Sequence, residues 1–161
     1  GTLLITNLRS GRNLWLFATG TGFAPFASII RDPETYANFE KVIVVEGCRH
    51  VAELQFSDQI IDDVLQHEYL GDLSANKLFY YPTITREAFK HSGRIPDLIV
   101  SGKLFSDTQM SPLDHELDRI MICGNPEMLS SLKQLVEGYG FKEGSNSAPG
   151  DFVIEKAFVE K

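Results

Sequence analysis

Arg49 and Arg86 each fall just beyond an apolar run, with Thr85 beside the second, and Arg94, in Gly93-Arg94-Ile95, is expected near the same strand end as Arg86, in a chain whose net charge is −7. Guanidinium is planar, permanently charged and able to donate two parallel hydrogen bonds, so such a set suits a phosphate-bearing ligand. A structural reading competes with it: Glu87 and Asp97 are near enough in sequence to pair with these arginines, and Arg49 alone is as well explained as a solvated side chain. The second chemistry-bearing segment is Leu14–Phe26, LWLFATGTGFAPF, whose apolar run ends in Thr19-Gly20-Thr21-Gly22 and then Ala24-Pro25. Glycine removes bulk and reaches positive φ, proline suits the first helical turn, and a helix N-terminus leaves N–H groups free for an anion. The motif is GTGxAP rather than GxGxxG, and it lacks the Lys-Ser/Thr pair of a nucleoside-triphosphate loop.

Glu46 carries two readings. It stands where an NAD-binding domain places an acidic residue for the ribose hydroxyls, yet Arg49 nearby suits a phosphate instead. Met121–Met128, MICGNPEM, repeats the plan of strand, glycine and helix-starting proline, with Cys123 expected at the floor of a pocket. No activating base accompanies Cys123, so a small residue packed beside a flat ring is favoured over a nucleophile. Cys48 and Cys123 have no CxxC or Cys/His spacing, and His50, His67, His91 and His115 are scattered, so no metal site is expected.

The elements that must position these residues follow from hydrophobic period. Strands are expected at Leu14–Ala18, Lys41–Glu46, Lys77–Thr83, Arg119–Cys123 and Asp151–Phe158, and helices at Ala24–Arg31, Val51–His67 and Pro126–Tyr139. Shorter turns fall at Glu34–Phe39 and Pro96–Ser101, and Gly1–Leu8 reads as a further strand before the turn Arg9–Arg12. The middle helix carries an apolar stripe of Leu54, Ile60, Ile61, Val64 and Leu65, with Asp58, Asp62 and Asp63 outside it. Alternation of this kind predicts a doubly wound α/β domain with a five-stranded parallel sheet, helices on both faces and ligands beyond the carboxyl ends of the strands.

A length of 161 residues with 43% hydrophobic and 23% charged residues suits one globular domain. The acidic balance argues against a nucleic-acid or anionic-membrane binder, and no apolar run reaches the roughly 20 residues of a membrane helix. A cytoplasmic monomer is expected. The chain starts at Gly1 without methionine, and a fragment of a longer protein is expected on that ground.

Six motifs in order, GTGxAPF (Gly20–Phe26), GCRxxxEL (Gly47–Leu54), TRE (Thr85–Glu87), GRIPDLI (Gly93–Ile99), CGNPEM (Cys123–Met128) and FVIEKAFVEK (Phe152–Lys161), resemble the carboxyl-terminal half of a bacterial-type ferredoxin–NADP reductase. The resemblance implies that residues 11–161 form an NADP-binding domain with a flavin-covering tail, and that residues 1–10 end a preceding FAD-binding barrel and its linker. It implies NADP(H) and FAD as cofactors, ferredoxin or flavodoxin as partner, and hydride exchange between nicotinamide C4 and flavin N5. Arg49, Thr85, Arg86 and Arg94 then surround the 2′-phosphate. Thr19, Gly20, Thr21, Gly22, Ala24 and Pro25 face pyrophosphate and nicotinamide, Cys123 and Gly124 flank the nicotinamide, and Ala157 and Phe158 face flavin and adenine. Glu46 departs from the pattern, because a carboxylate near the adenosine phosphate would repel it. The alternatives are an NADH-using flavin reductase or oxygenase-reductase module, and a regulatory nucleotide-binding domain without redox chemistry. Alone, the chain is expected to bind nucleotide but transfer no electrons.

Overall fold

Period-2 alternation sets the two faces of the sheet. Along Asn13–Thr19 (β1), Leu14, Leu16 and Ala18 point to one core while Trp15 and Phe17 point to the other, and all five are fully buried. A computed structural model describes residues 3–156, in which β1 pairs in parallel with Lys41–Cys48 (β2) on one side and Asp118–Gly124 (β4) on the other. Leu78–Ile84 (β3) and Phe152–Lys156 (β5) complete a five-stranded parallel sheet in the order β3-β2-β1-β4-β5. The expected architecture holds.

The chain winds first over one face, then over the other. Ala24–Arg31 (α1), Pro33–Asn38 (α2), Gln55–Gln66 (α3) and Leu70–Ser74 (α4) cover the face carrying Leu14, Leu16, Val42 and Val44. Ile95–Val100 (α5), Lys103–Thr108 (α6) and Pro126–Gly138 (α7) cover the opposite face around Trp15, which packs edge-on against Phe105 at 5.6 Å between ring centres. The change of face comes between β3 and β4, so strand order reverses between β1 and β4. In open α/β sheets that reversal opens a crevice at the carboxyl ends of the strands.

Local chemistry explains the element ends. Asp32 stops α1 and caps α2 by accepting from the Glu34 N–H at 2.9 Å. Thr35 Oγ1 and Tyr36 Oη then donate to the Ile29 and Ile30 carbonyls at 2.7 and 2.5 Å, adding to the Asp32 N–H that Ile29 accepts at the end of α1. The expected Val51–His67 helix divides into a 3₁₀ turn, Val51–Leu54, and α3. Leu65, expected on the buried stripe, is exposed, whereas Ile60, Ile61 and Val64 are buried.

Gly1–Leu8 was expected as a strand, and over its described part this is corrected. Ile5–Asn7 forms a 3₁₀ turn that buries Leu3 and Leu8 while Leu4 stays exposed. Only an isolated bridge joins Leu8 to Gly150, because the 144–150 loop reaches back: Gly150 N–H donates to the Asn7 carbonyl at 3.0 Å. The segment 9–10 is held by the buried Arg119, whose guanidinium donates to the Arg9 carbonyl at 3.2 Å and the Ser10 carbonyl at 2.8 Å. Of the last expected strand, Ala157 and Phe158 lie outside the described residues.

Candidate anion-binding crevice

The ends of four of the five strands, β3, β2, β1 and β4, deliver the walls of a cavity of about 580 Å³ at the carboxyl edge of the sheet. β1 contributes Thr19 and, through the 3₁₀ turn Gly20–Phe23 that runs straight into α1, Gly20. Gly20 has φ +52° and no neighbour within reach of a Cβ, so backbone conformation rather than space selects glycine there. Gly22 has the other reason. A Cβ on it would lie 2.2 Å from the Cys123 carbonyl oxygen, so its bare backbone lets the turn press onto the end of β4.

β2 contributes Gly47, Cys48 and Arg49, and its pairing with the β3 side continues past both strands. Thr85 N–H donates to the Cys48 carbonyl and Arg86 N–H to the Arg49 carbonyl, each at 3.0 Å. That extension sets Arg49 and Arg86 on adjacent backbone positions at the cavity rim. The loop that follows folds back along β3, where Ile84 N–H donates to the His91 carbonyl at 3.1 Å and Thr83 Oγ1 to the Gly93 carbonyl at 2.8 Å. The His91 ring stacks on Tyr81 with centres 3.9 Å apart, and Tyr81 is itself anchored by donating to Asp107 at 2.5 Å. This return brings Arg94 to the same cavity as Arg49 and Arg86.

β4 closes the far wall with Asn125, Glu127 and Met128. Asn125 caps α7, its side-chain oxygen accepting from the Met128 N–H at 2.9 Å, and Glu127 Oε1 stands 3.5 Å from Arg94 Nη2 across the opening. The sequence marks the loop that holds these three as a site candidate without giving any of them a role. The signal was the second strand-Gly-Pro segment, whose first helical turn had to face the same crevice.

The ion-pair network with Glu87 and Asp97 does not form around these arginines. Glu87 instead accepts from the Val51 N–H and lies 3.9 Å from His50 Nδ1. Among the described residues, Arg49 and Arg86 have no carboxylate at ion-pairing distance. Thr19 Oγ1 is buried without a hydrogen-bond partner, in contrast to the rule for buried hydroxyls. Uncommitted guanidiniums and an orphaned hydroxyl are donors in want of a ligand.

Glu46 points away from this cavity. It shares the parity of Val42 and Val44, so it enters the other face of the sheet, where it is buried and accepts from Ser57 Oγ and, at 2.6 Å, from Tyr80 Oη. Burial pushes its carboxyl above the ordinary carboxylate range, against the lowering by Ser57 and Tyr80. It lines a separate cavity of about 410 Å³ with Gly20, Phe23, Ala24, Glu53 and Phe56. Neither the ribose role nor the repulsion of a phosphate is available to it from there.

Other expected positions distribute as follows. Ala24 lines that second cavity and Pro25 sits half-buried at the start of α1. Gly124 is buried against Thr19, where a Cβ would lie 2.4 Å from Thr19 Oγ1. Cys123 is fully buried and lines neither of these two cavities, and Gly22 packs against its carbonyl. Burial pushes its thiol up to about 11, and that of Cys48 up to about 12, which leaves both as protonated packing groups. The crevice therefore offers charge and hydrogen-bond donors rather than a nucleophile. Among the described residues, no helix is long and apolar enough to cross a membrane.

Comparison with known proteins agrees with this geometry. The family model for the oxidoreductase NAD-binding domain matches residues 16–134. Ferredoxin–NADP reductase A of Sorangium cellulosum is 49% identical over 159 residues, spanning 99% of this chain and 57% of that protein. A ferredoxin–NADP reductase of Pseudomonas aeruginosa is 49% identical over 162 residues, spanning 100% of this chain and 63% of that one. Among solved structures, a ferredoxin NADP⁺ reductase from Neisseria gonorrhoeae with bound FAD and NADP superposes with a TM-score of 0.82 at 32% identity, over 98% of this chain and 61% of that one. The chain thus spans about three-fifths of the length of these relatives, and it belongs to the family of oxidoreductase NAD-binding domains.

Proposed function

We propose that this chain is the NADP(H)-binding portion of a longer flavoprotein, a ferredoxin–NADP or flavodoxin–NADP reductase. The observation that carries the reading is the convergence of Arg49, Arg86 and Arg94 on one cavity in an otherwise acidic chain. Two of the three are uncommitted to carboxylates, and a 2′-phosphate is the part of NADP(H) that needs them. Thr85 lines the same cavity, its hydroxyl donating to the Cys48 carbonyl at 3.4 Å, and we assign the 3₁₀ turn Gly20–Phe23, beside the unpartnered Thr19 hydroxyl, to pyrophosphate and nicotinamide. A cavity of about 580 Å³ suits part of a dinucleotide, its remainder extending along the strand ends.

Bound nicotinamide supplies a hydride at C4 for a flavin, and the work of this chain is to orient it. The arginines fix the adenosine end, the glycine turn admits close approach of backbone to ligand, and rigid strand ends hold both relative to each other. Residues 1–10 serve as the linker from a flavin-binding barrel, with Arg119 holding Arg9 and Ser10 to the sheet. Ala157 and Phe158 are the residues we assign to the tail over the flavin. Ferredoxin or flavodoxin is the electron partner of the whole protein, which acts in the cytoplasm as a monomer.

Anaerobic spectra of the longer protein test the reading. NADPH is expected to bleach a flavin band, and NADH at equal concentration to bleach it far more slowly. A colourless protein that still binds nucleotide favours the regulatory alternative, and equal rates with both nucleotides favour the NADH-using one.

A further inference from the structure

Two carboxylates line the arginine cavity, and they are differently engaged. Glu53 turns back to its own 3₁₀ turn, accepting from the His50 N–H at 3.2 Å in a capping box. Glu127 faces Arg94 at 3.5 Å. Arg94 follows β3 and Glu127 follows β4, strands separated in the sheet by β2 and β1, so the pair bridges the crevice from wall to wall. Arg49 and Arg86 on the same cavity have no such carboxylate at hand.

A phosphate that reaches Arg94 meets Glu127 at Nη2, the one donor the carboxylate approaches, at 3.5 Å. Both side chains are exposed, so the repulsion between that carboxylate and the phosphate is the modest one of water-screened charges. We propose that Glu127 is a specificity-tuning residue that competes with the ligand's phosphate for Arg94, weakening retention of the phosphorylated nucleotide so that it exchanges readily. The inference rests on the NADP(H) reading above. Its site also has a reason to tolerate the acid: Glu127 lies in the first turn of α7, where negative charge is favoured. Neutralising it gives up that small favourable term in the helix as well as the competition, so nucleotide binding rather than stability is the readout.

The test is a double-mutant cycle on the 161-residue chain, titrated with 2′-phospho-AMP and with AMP at low ionic strength, using wild type, E127Q, R94A and the double variant. Glutamine keeps the size of the side chain and loses the charge. E127Q is expected to bind 2′-phospho-AMP about two- to fivefold more tightly, the range of an exposed ion pair, with AMP unchanged. The gain is expected to vanish in the R94A background and to shrink at high salt. No gain, or a gain that is equal for AMP or persists without Arg94, overturns the proposal. Equal affinity of the wild type for the two nucleotides overturns the NADP(H) reading itself and the competition with it, whereas a wild-type preference with an inert E127Q overturns the competition alone.

Discussion

At the scale of single residues, the direction in which a side chain points decides more than its distance from a motif. Glu46 and Arg49 are three apart, yet Glu46 enters the core beside Ser57 and Tyr80 while Arg49 reaches the crevice. That separation was legible in principle, since Glu46 keeps step with Val42 and Val44 along β2. The buried carboxyl has a thermodynamic signature. Its folded pKa is raised, so the folded state holds a proton that the unfolded chain releases above its ordinary value of about 4.3. Binding more protons in the folded state means that stability is greatest below that value and falls as pH rises toward the raised one. E46Q removes the proton and keeps an acceptor for Ser57 and Tyr80. In urea titrations across this window, wild type is expected to lose stability with rising pH relative to E46Q; parallel profiles would show that the buried carboxyl does not titrate abnormally.

Elements divide by whether their pattern is local. The five strands read as apolar runs because a sheet covered on both faces buries most of their side chains, Phe79 on β3 being an exception, while α3 reads from its apolar stripe and α1 and α7 from the prolines that start them. The short helices α4 and α6 gave no usable period, being too brief to show one. The expected strand Gly1–Leu8 failed for the opposite reason over its described residues 3–8, which have an isolated bridge but no ladder and turn instead to bury Leu3 and Leu8. The glycine turn was legible as a turn, but the reason for Gly22 was tertiary, its contact with Cys123 across from β4. Ala at this position must displace the end of β4. G22A is expected to lower unfolding free energy by about 1–3 kcal/mol, the cost of overpacking, as measured by urea denaturation. A neutral G22A would mean that the turn and β4 are not in register as described.

On the scale of the whole molecule, the strand order places the arginine cavity at the carboxyl edge, and the chain's own charge makes that cavity notable. With 22 acidic and 15 basic residues, the overall field disfavours anions, so an anion site has to be built locally. The sequence carried Arg49 and Arg86 after apolar runs and Arg94 in a following loop, and the adjacent ends of β2 and β3 with that loop's return join them. The loop after β4 was legible as a loop at the crevice, but not that Glu127 would face Arg94, because only the reversal between β1 and β4 sets the fourth loop opposite the third. The central claim is that these guanidiniums read a 2′-phosphate. Calorimetric titration of wild type and R86A with 2′-phospho-AMP and AMP tests it most directly. Wild type is expected to prefer 2′-phospho-AMP strongly, and R86A to lose about 1.5–3 kcal/mol for that ligand alone, the range of hydrogen bonds to charged groups. Equal affinity of wild type for both nucleotides, or an R86A loss shared by AMP, would contradict the account.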